Sequence, residues 1–95
     1  MACAAARVYA LERLADNAYR DVTIAPCPIA TTRQTDGSWL TVGAVTATQY
    51  GAPVALRWSA RTVAVDGAVS RVCNFGIAPD LPGVSNKMLD VPGCP

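Results

Sequence analysis

Histidine is missing from this 95-residue chain, and glutamate occurs once, at Glu12. Without histidine the chain lacks the commonest general base and metal ligand, which removes the Ser-His-Asp and Cys-His catalytic arrangements. Most of the aspartates stand in turn sequences, where Asp is favoured for backbone reasons alone. The sequence therefore predicts no catalytic residue, no cofactor and no metal site, and we expect a protein that is not an enzyme.

A strong net charge and long apolar runs are also absent. Eight basic residues against seven acidic ones leave a net charge of +1. This charge is too small to indicate binding to nucleic acid. No stretch approaches the roughly 20 apolar residues of a membrane helix. The first residues, MACAAARVYALERL, also lack the charged start and apolar run of a signal peptide. We expect no nucleic-acid partner and no membrane span, and an exported chain of this kind would have to be a trimmed product.

Cysteine is the most informative residue type that is present. Cys3, Cys27, Cys73 and Cys94 never fall in the C-x-x-C spacing of zinc or redox sites, so disulfides are the better interpretation. The spacing favours Cys3 with Cys27 and Cys73 with Cys94, and each bond would contribute roughly 3 kcal/mol. Disulfides imply an oxidising compartment: periplasm, cell surface, extracellular medium or virion. Four buried free thiols in the cytosol are the alternative.

The pattern of apolar and polar residues predicts an α+β fold in a single domain, residues 1–95. Residues 4–20 are rich in alanine and free of glycine and proline, which predicts a helix. The runs WLTVGAVTATQ, PVALRWSARTVAV and AVSRVCNFGI predict three long strands. We therefore expect the helix to pack on an antiparallel meander of three or four strands within residues 21–77, followed by an irregular loop over residues 78–95 that a disulfide bounds.

Helical spacing also predicts which side of the helix is buried. One side carries apolar residues and the other carries charges, among them Asp16, which could pair with Arg20 four residues later. Between this helix and the first long run, IATTRQTDGS predicts a polar loop with a turn at Asp36-Gly37. The predicted apolar side consists of Ala4, Val8, Leu11, Ala15 and Ala18, with Leu14 beside them.

Asp66-Gly67, between the second and third long runs, is a strong hairpin signal. If these two residues form the turn, the apolar residues of both strands share one face. In the same register Cys73 faces the core, and its bond to Cys94 would draw apolar loop residues such as Leu81 and Leu89 over the end of the core. The predicted pairs are Trp58 with Phe75, Leu56 with Ile77, Ala60 with Cys73, and Thr62 with Arg71.

Four residues are candidate contacts with a partner protein. Arg57 and Arg61 fall on the solvent face of the predicted hairpin and could pair with a partner's carboxylates, although solvated surface positions would explain them as well. Trp39 and Tyr50 lie at the two ends of the first long run, where aromatic residues either bind a partner or cap the core.

A helix that leads into an antiparallel sheet and ends in a cysteine-bounded loop resembles the globular head of a type IV pilin or pseudopilin. The resemblance is carried by RVYALERLADNAYRDVTI as the exposed part of a stem helix, by the meander from Trp39 to Ile77, and by the loop from Cys73 to Cys94. It implies an extracytoplasmic filament subunit without an active site, which assembles with other protein subunits of the same or another kind. The apolar stem and processing site shared by such pilins would have to precede Ala4.

A second class of function also fits these features. A small secreted or virion-surface binding module, such as an inhibitor or a capsid-stabilising protein, would carry the same disulfides and act as a monomer or between other subunits. A native start at Met1 would favour this class over the pilin.

Overall fold

One helix followed by six strands makes up the described part of the computed structural model, which covers residues 2–27, 29–65 and 69–94. All strand pairs are antiparallel, in the spatial order β1-β3-β4-β5-β6, and β2 pairs with β3 on the same side as β1. The elements are α1 (Ala2–Asp16), β1 (Tyr19–Ile24), β2 (Thr31–Arg33), β3 (Trp39–Gln49), β4 (Ala52–Val65), β5 (Val69–Pro79) and β6 (Leu89–Asp90).

The α+β class is confirmed, but the sheet has more strands than the three or four predicted. Two of its strands, β2 and β6, lie inside segments predicted to be loops. They contain three and two residues, which is too short for alternation of apolar and polar side chains to be visible in the sequence. The predicted turn at Asp36-Gly37 is present, because the Gly37 amide donates to the Gln34 carbonyl and Gly37 has a φ of +88°.

The helix buries a different side from the one predicted. Its buried residues repeat every four positions, whereas Val8 is 53% exposed and Ala4 and Ala15 are exposed. The prediction was wrong because alanines lie on nearly every side of this helix, so that spacing alone does not identify the buried one. Small side chains on the buried side let the helix lie close to the sheet. That side consists of Ala2, Ala6, Ala10 and Leu14.

The helix also ends at Asp16, four residues before the predicted end. The Asn17 side-chain amide donates to the Arg13 carbonyl, which satisfies one of the free carbonyls of the last turn, and Ala18 has a φ of +65° that turns the chain into β1. Asp16 therefore pairs with Arg13, at 3.7 Å, instead of with Arg20, which lies in β1.

Trp58 of β4 is the centre of the core and is fully buried. Its ring lies 6.3 Å from the ring of Phe75, which in turn meets the Tyr9 ring of α1 edge to face at 5.1 Å. On the neighbouring strand the residue opposite Trp58 is Gly43, and a Cβ there would lie 2.6 Å from the indole nitrogen. The core therefore depends on a residue without a side chain at position 43.

The pairing of β4 with β5 is displaced by two residues from the predicted register. Trp58 lies opposite Ile77, and Ala60 lies opposite Phe75. Val65 pairs with Val69, which leaves three residues between the strands, and a bulge between Arg61 and Thr62 adds one more position. The predicted turn at Asp66-Gly67 lies outside the described residues. Because side chains alternate with a period of two, a displacement by two keeps each strand's core face unchanged.

Two residues near that bulge have other positions than predicted. Cys73 is the extra residue of the bulge, so that Val72 lies opposite Thr62 and Cys73 is not opposite Ala60. Arg71 is exposed, lies opposite Val63, and donates to the Gly93 carbonyl. The three-residue connection accounts for the one-position shift of Arg71, and the bulge that follows removes Cys73 from the pairing.

Disulfides join Cys3 to Cys27 and Cys73 to Cys94, the pairing that the spacing favoured. The first fixes the start of α1 to the segment between β1 and β2, where the chain leaves the sheet after Ile24 and returns at Thr31. Arg7 of α1 supports this contact, because its guanidinium donates to the carbonyls of Ile24 and Ala25 at 3.3 and 2.9 Å. One edge of the sheet is thus tied to the helix.

The second disulfide closes the C-terminal segment, residues 80–94, against β5. The segment crosses the face of the sheet away from the helix, where the Asn86 amide donates to the Arg57 carbonyl and the Ser59 hydroxyl. It then returns along β5, and the Val91 amide donates to the Cys73 carbonyl at 2.9 Å. Val91 packs against the core, but Leu81 and Leu89 are 57% and 64% exposed and do not dock as predicted.

No helix in the described ranges combines the length and the apolar character that crossing a membrane requires.

Replacement of Gly43 by alanine should destabilise the fold by about 1 to 3 kcal/mol, because the added methyl group must displace the buried indole. Equilibrium unfolding in urea measures this change. Ala44→Val is the matched control, since Ala44 is exposed on the same strand. Equal stability of Gly43→Ala and the parent protein would contradict the tight contact.

Removal of the second disulfide, with Cys73→Ser and Cys94→Ser together, should lower stability by roughly 3 kcal/mol and speed hydrogen exchange at the Val91 amide. Val91 reports on the segment because its amide is bonded to Cys73 across the closing contact. The pair Cys3→Ser and Cys27→Ser serves as the control, which should leave the Val91 exchange rate unchanged relative to global unfolding. Unaltered Val91 exchange in both variants would show that the segment is held without its disulfide.

Candidate functional site

A groove lies at the C-terminal end of the helix. It has a volume of about 610 Å³ and is bordered by α1, the β3–β4 turn, β5 and the C-terminal segment. We call it the helix-end groove and define it by Arg13, Tyr19, Tyr50, Ile77, Lys87 and Leu89.

The groove continues into a smaller, more apolar hollow of about 380 Å³ between β4 and β5. The two share Tyr19, Gln49 and Ile77, so they form one surface. Val54 and Leu81 line the far part. This surface arises because α1 ends at Asp16 and does not cover the end of the sheet next to the β3–β4 turn.

Exposed apolar side chains gather at this surface. Four large apolar side chains are exposed in the described part of the chain, and three of them, Tyr50, Leu81 and Leu89, line the helix-end groove or its extension. Clustering of this kind on a small protein is typical of a contact surface for another molecule.

Tyr50 protrudes from the turn between β3 and β4 and is 89% exposed. Gln49 pairs with Ala52, so the turn has two residues, Tyr50 and Gly51, both with positive φ (52° and 80°). Such turns favour Asn or Gly at the first position, and a bulky aromatic residue there is rare. The turn thus holds a large ring in the solvent in a conformation that the residue itself does not favour.

The two basic side chains of the groove differ in whether they form an ion pair. Arg13 is engaged by Asp16. Lys87 is exposed, and among the described residues no hydrogen bond or ion pair involves its ammonium group. A groove of mixed lining with an apolar extension and one free cation at its border suits a partner segment that carries a carboxylate beside apolar residues.

Of the sequence-predicted contact residues, only Tyr50 lies at the helix-end groove. Trp39 is partly buried at the other end of β3, where the Arg33 guanidinium lies 5.5 Å from its ring centroid. Arg57 holds the C-terminal segment, since it donates to the Val84 carbonyl at 2.8 Å and lies 3.9 Å from the Asp80 carboxylate. The role of each in binding a partner stays a prediction.

Arg61 is the centre of a polar network on the face away from the helix. Its guanidinium donates to the Ser38 hydroxyl at 3.0 Å, to the Asn74 side-chain oxygen at 2.9 Å and to the Asp36 carboxylate at 3.1 Å. The Asn74 amide then donates to Asp90 of β6 at 2.7 Å. The network joins the β2–β3 turn to three strands. Arg61 therefore stabilises the fold, a role that its position in the sequence did not predict.

Hydrogen bonds lower the pKa of Asp36 to about 2. The Ser38 hydroxyl makes the largest contribution, followed by the Ser38 backbone amide and the Arg61 guanidinium. The sequence DGS predicts the local part of this arrangement, because Asp commonly accepts hydrogen bonds from residues two positions later. The long-range bond from Arg61 leaves no local signal.

Within residues 2–27, 29–65 and 69–94, no three acidic, cysteine or histidine side chains lie together in an arrangement that could hold a metal ion.

Comparisons with protein-family models, with curated proteins and with solved structures find no match to this chain. Arguments about function therefore start from the geometry of the helix-end groove.

Lowering the pH should remove the contribution of the Asp36 network to the stability of the fold. Because the folded-state pKa of Asp36 lies below its unfolded value of 3.8, its contribution to stability is present above pH 4 and is lost as the pH falls towards 2. Asp36→Asn should lower the melting temperature at pH 7 and flatten its fall between pH 4 and pH 2. Thermal unfolding across this range measures both effects, and parallel pH curves for the two proteins would contradict the prediction.

Proposed function

We propose that the protein is an extracytoplasmic structural subunit, a pilin-like or pseudopilin-like filament subunit that acts by contact with other subunits and not by catalysis. The observation that carries the proposal is the strained, 89% exposed Tyr50 at the helix-end groove, which continues into an apolar extension. Backbone strain persists where the surrounding structure enforces it and where function uses it. A partner that covers Tyr50 would supply the burial that the isolated chain does not.

The two edges of the sheet are poorly suited to pairing with a strand of another chain, which favours contact through faces and grooves. On one edge, the Asp21 φ of +50° and the irregularity between Arg20 and Thr23 distort β1, and the Cys27 segment leaves the sheet. On the other edge, β6 and the disulfide-bound segment cover β5 at Asn74 and Phe75. Distorted and covered edges resist strand addition by another chain. Partners are therefore expected to bind at the helix-end groove and its apolar extension.

The two disulfides support the extracytoplasmic part of the proposal. One cross-link joins α1 to the segment between β1 and β2 and the other joins the C-terminal segment to β5, and such bonds persist in oxidising compartments such as the periplasm or the cell surface. The order of helix, antiparallel sheet and disulfide-bounded C-terminal segment agrees with the layout on which the pilin resemblance depends.

A small secreted or virion-surface binding module is the second candidate. The observation that favours it is again Tyr50, because a rigid two-residue turn with one protruding aromatic side chain can also insert into a pocket of an unrelated protein. The two functions differ in whether the partner is another copy of the chain or a protein of a different kind.

Tyr50→Asn separates folding from assembly. Asparagine favours the positive φ of this position, so the variant should be as stable as the parent protein or slightly more stable. It should nevertheless assemble at least tenfold less readily, since the exposed ring is lost. Sedimentation velocity and negative-stain microscopy of the oxidised protein over a range of concentrations measure assembly.

Tyr50→Phe is the matched control, which keeps the ring and the strain and should assemble like the parent protein. A parent protein that remains monomeric at the highest concentrations and forms no filaments would contradict the filament proposal and favour the binding module.

A further inference from the structure

Glu12 and Lys87 are the only glutamate and the only lysine of the chain. Both are exposed, and in the described part of the structure neither side chain takes part in a hydrogen bond or an ion pair. Most other charged side chains are engaged: Arg13 with Asp16, Arg57 with Asp80, and Arg61 with Asp36. Among the described residues, Glu12 thus presents a free carboxylate and Lys87 a free ammonium group, at separate places.

Glu12 lies on an apolar surface of its own. Together with Val8 it belongs to the outward side of α1, above a shallow hollow of about 420 Å³ between the helix and the start of β5. Val8, 53% exposed, is the one exposed large apolar residue of the described chain that does not line the helix-end groove or its extension. We call this surface the helix flank and define it by Ala4, Ala5, Val8 and Glu12.

The helix flank and the helix-end groove are complementary in shape and charge. The flank is the outward side of a helix and carries two alanines, a valine and a carboxylate, whereas the groove is an open hollow with both polar and apolar lining residues, an apolar extension, and the free ammonium group of Lys87 at its border. Small residues on a helix allow another backbone or a concave surface to come close. Opposite charges at the borders of the two surfaces would fix how they align.

We propose that the helix-end groove of one copy binds the helix flank of a second copy, with Lys87 paired to Glu12 across the contact. This inference rests on the proposed function and names the partner surface of the same groove. Tyr50, Leu81 and Leu89 then lie against the Ala4, Ala5 and Val8 side of the neighbouring helix. All four exposed large apolar side chains of the described chain are covered by a single type of contact.

The contact joins two different surfaces of the molecule. Each copy can therefore use its groove for one neighbour and its flank for another, and such a heterologous contact propagates into an open chain unless the rotation between copies closes a ring. This property is what a filament subunit requires.

Charge reversal tests the pairing. Glu12→Lys alone and Lys87→Glu alone each place like charges across every contact, and each should weaken assembly by about tenfold or more. An equimolar mixture of the two variants should regain assembly, because every contact between unlike variants again joins opposite charges. The double variant Glu12→Lys/Lys87→Glu should also assemble.

Arg20→Glu is the matched control, since Arg20 is exposed on β1 and lines neither surface. It reverses a charge as Lys87→Glu does but should leave assembly unchanged. Melting temperatures of all variants should agree within a few degrees, because none of the three side chains has a bonded partner in the described structure.

Cross-linking identifies the two residues directly. A carbodiimide joins a carboxylate to an amine in contact, and Lys87 carries the only side-chain amine of the chain. In a mixture of ¹⁵N-labelled and unlabelled protein, we expect a cross-linked peptide pair that contains Glu12 from one isotope and Lys87 from the other. Lys87→Arg should abolish this product while assembly persists.

The outcomes separate this inference from the proposed function. Filaments that form without the Glu12–Lys87 product and do not respond to charge reversal would overturn the contact and leave the filament proposal standing. A discrete dimer that gives the product would confirm the contact and overturn the filament. A monomer without any product would overturn both.

Discussion

The close approach of Gly43 to the buried Trp58 indole is the constraint on which the rest of the fold depends. With no side chain at position 43, the Trp58 indole can lie close against the neighbouring strand and still stack on Phe75. The alanine stripe of α1 then covers this layer at short range, since a larger side chain at Ala6 or Ala10 would have no space. Size, more than hydrophobicity, selects the residues at these positions, and a thin core of this kind gains from covalent cross-links.

The two faces of the sheet are stabilised by different interactions. The helix side is apolar and close-packed, whereas the opposite side is organised by Arg57 and Arg61, which hold the C-terminal segment and the β2–β3 turn through hydrogen bonds. These arginines serve the fold, whereas the end of the sheet beyond the last turn of α1 stays uncovered. The helix-end groove is therefore a direct consequence of where α1 ends.

The sequence predicted the class, the long strands and the disulfide pairing because each has a local or statistical signature: period-two alternation in β3 and β4, and cysteines far apart in a short chain. It did not predict which side of α1 is buried, since Ala6 and Ala4 are chemically identical and only the sheet distinguishes them. The bulge at Cys73 and the bonds of Arg61 also depend on contacts between distant residues. Of the groove, Tyr50 was identified from its place at a strand end, whereas the exposure of Leu89 and Lys87 follows from the path of the C-terminal segment.

The Cys3–Cys27 bond has a mechanical consequence. A pull applied to the chain before Cys3 passes through this bond to Cys27, after the end of β1, so the intervening residues, which include nearly all of α1 and the whole of β1, are shielded from the tension. A pull applied after Cys94 passes in the same way to Cys73. Under load from both ends, only the region between Cys27 and Cys73 can extend without breaking a covalent bond. The helix and β1 would therefore carry no tension at forces that begin to separate β3 and β4, although β4 is part of the surface on which the helix packs.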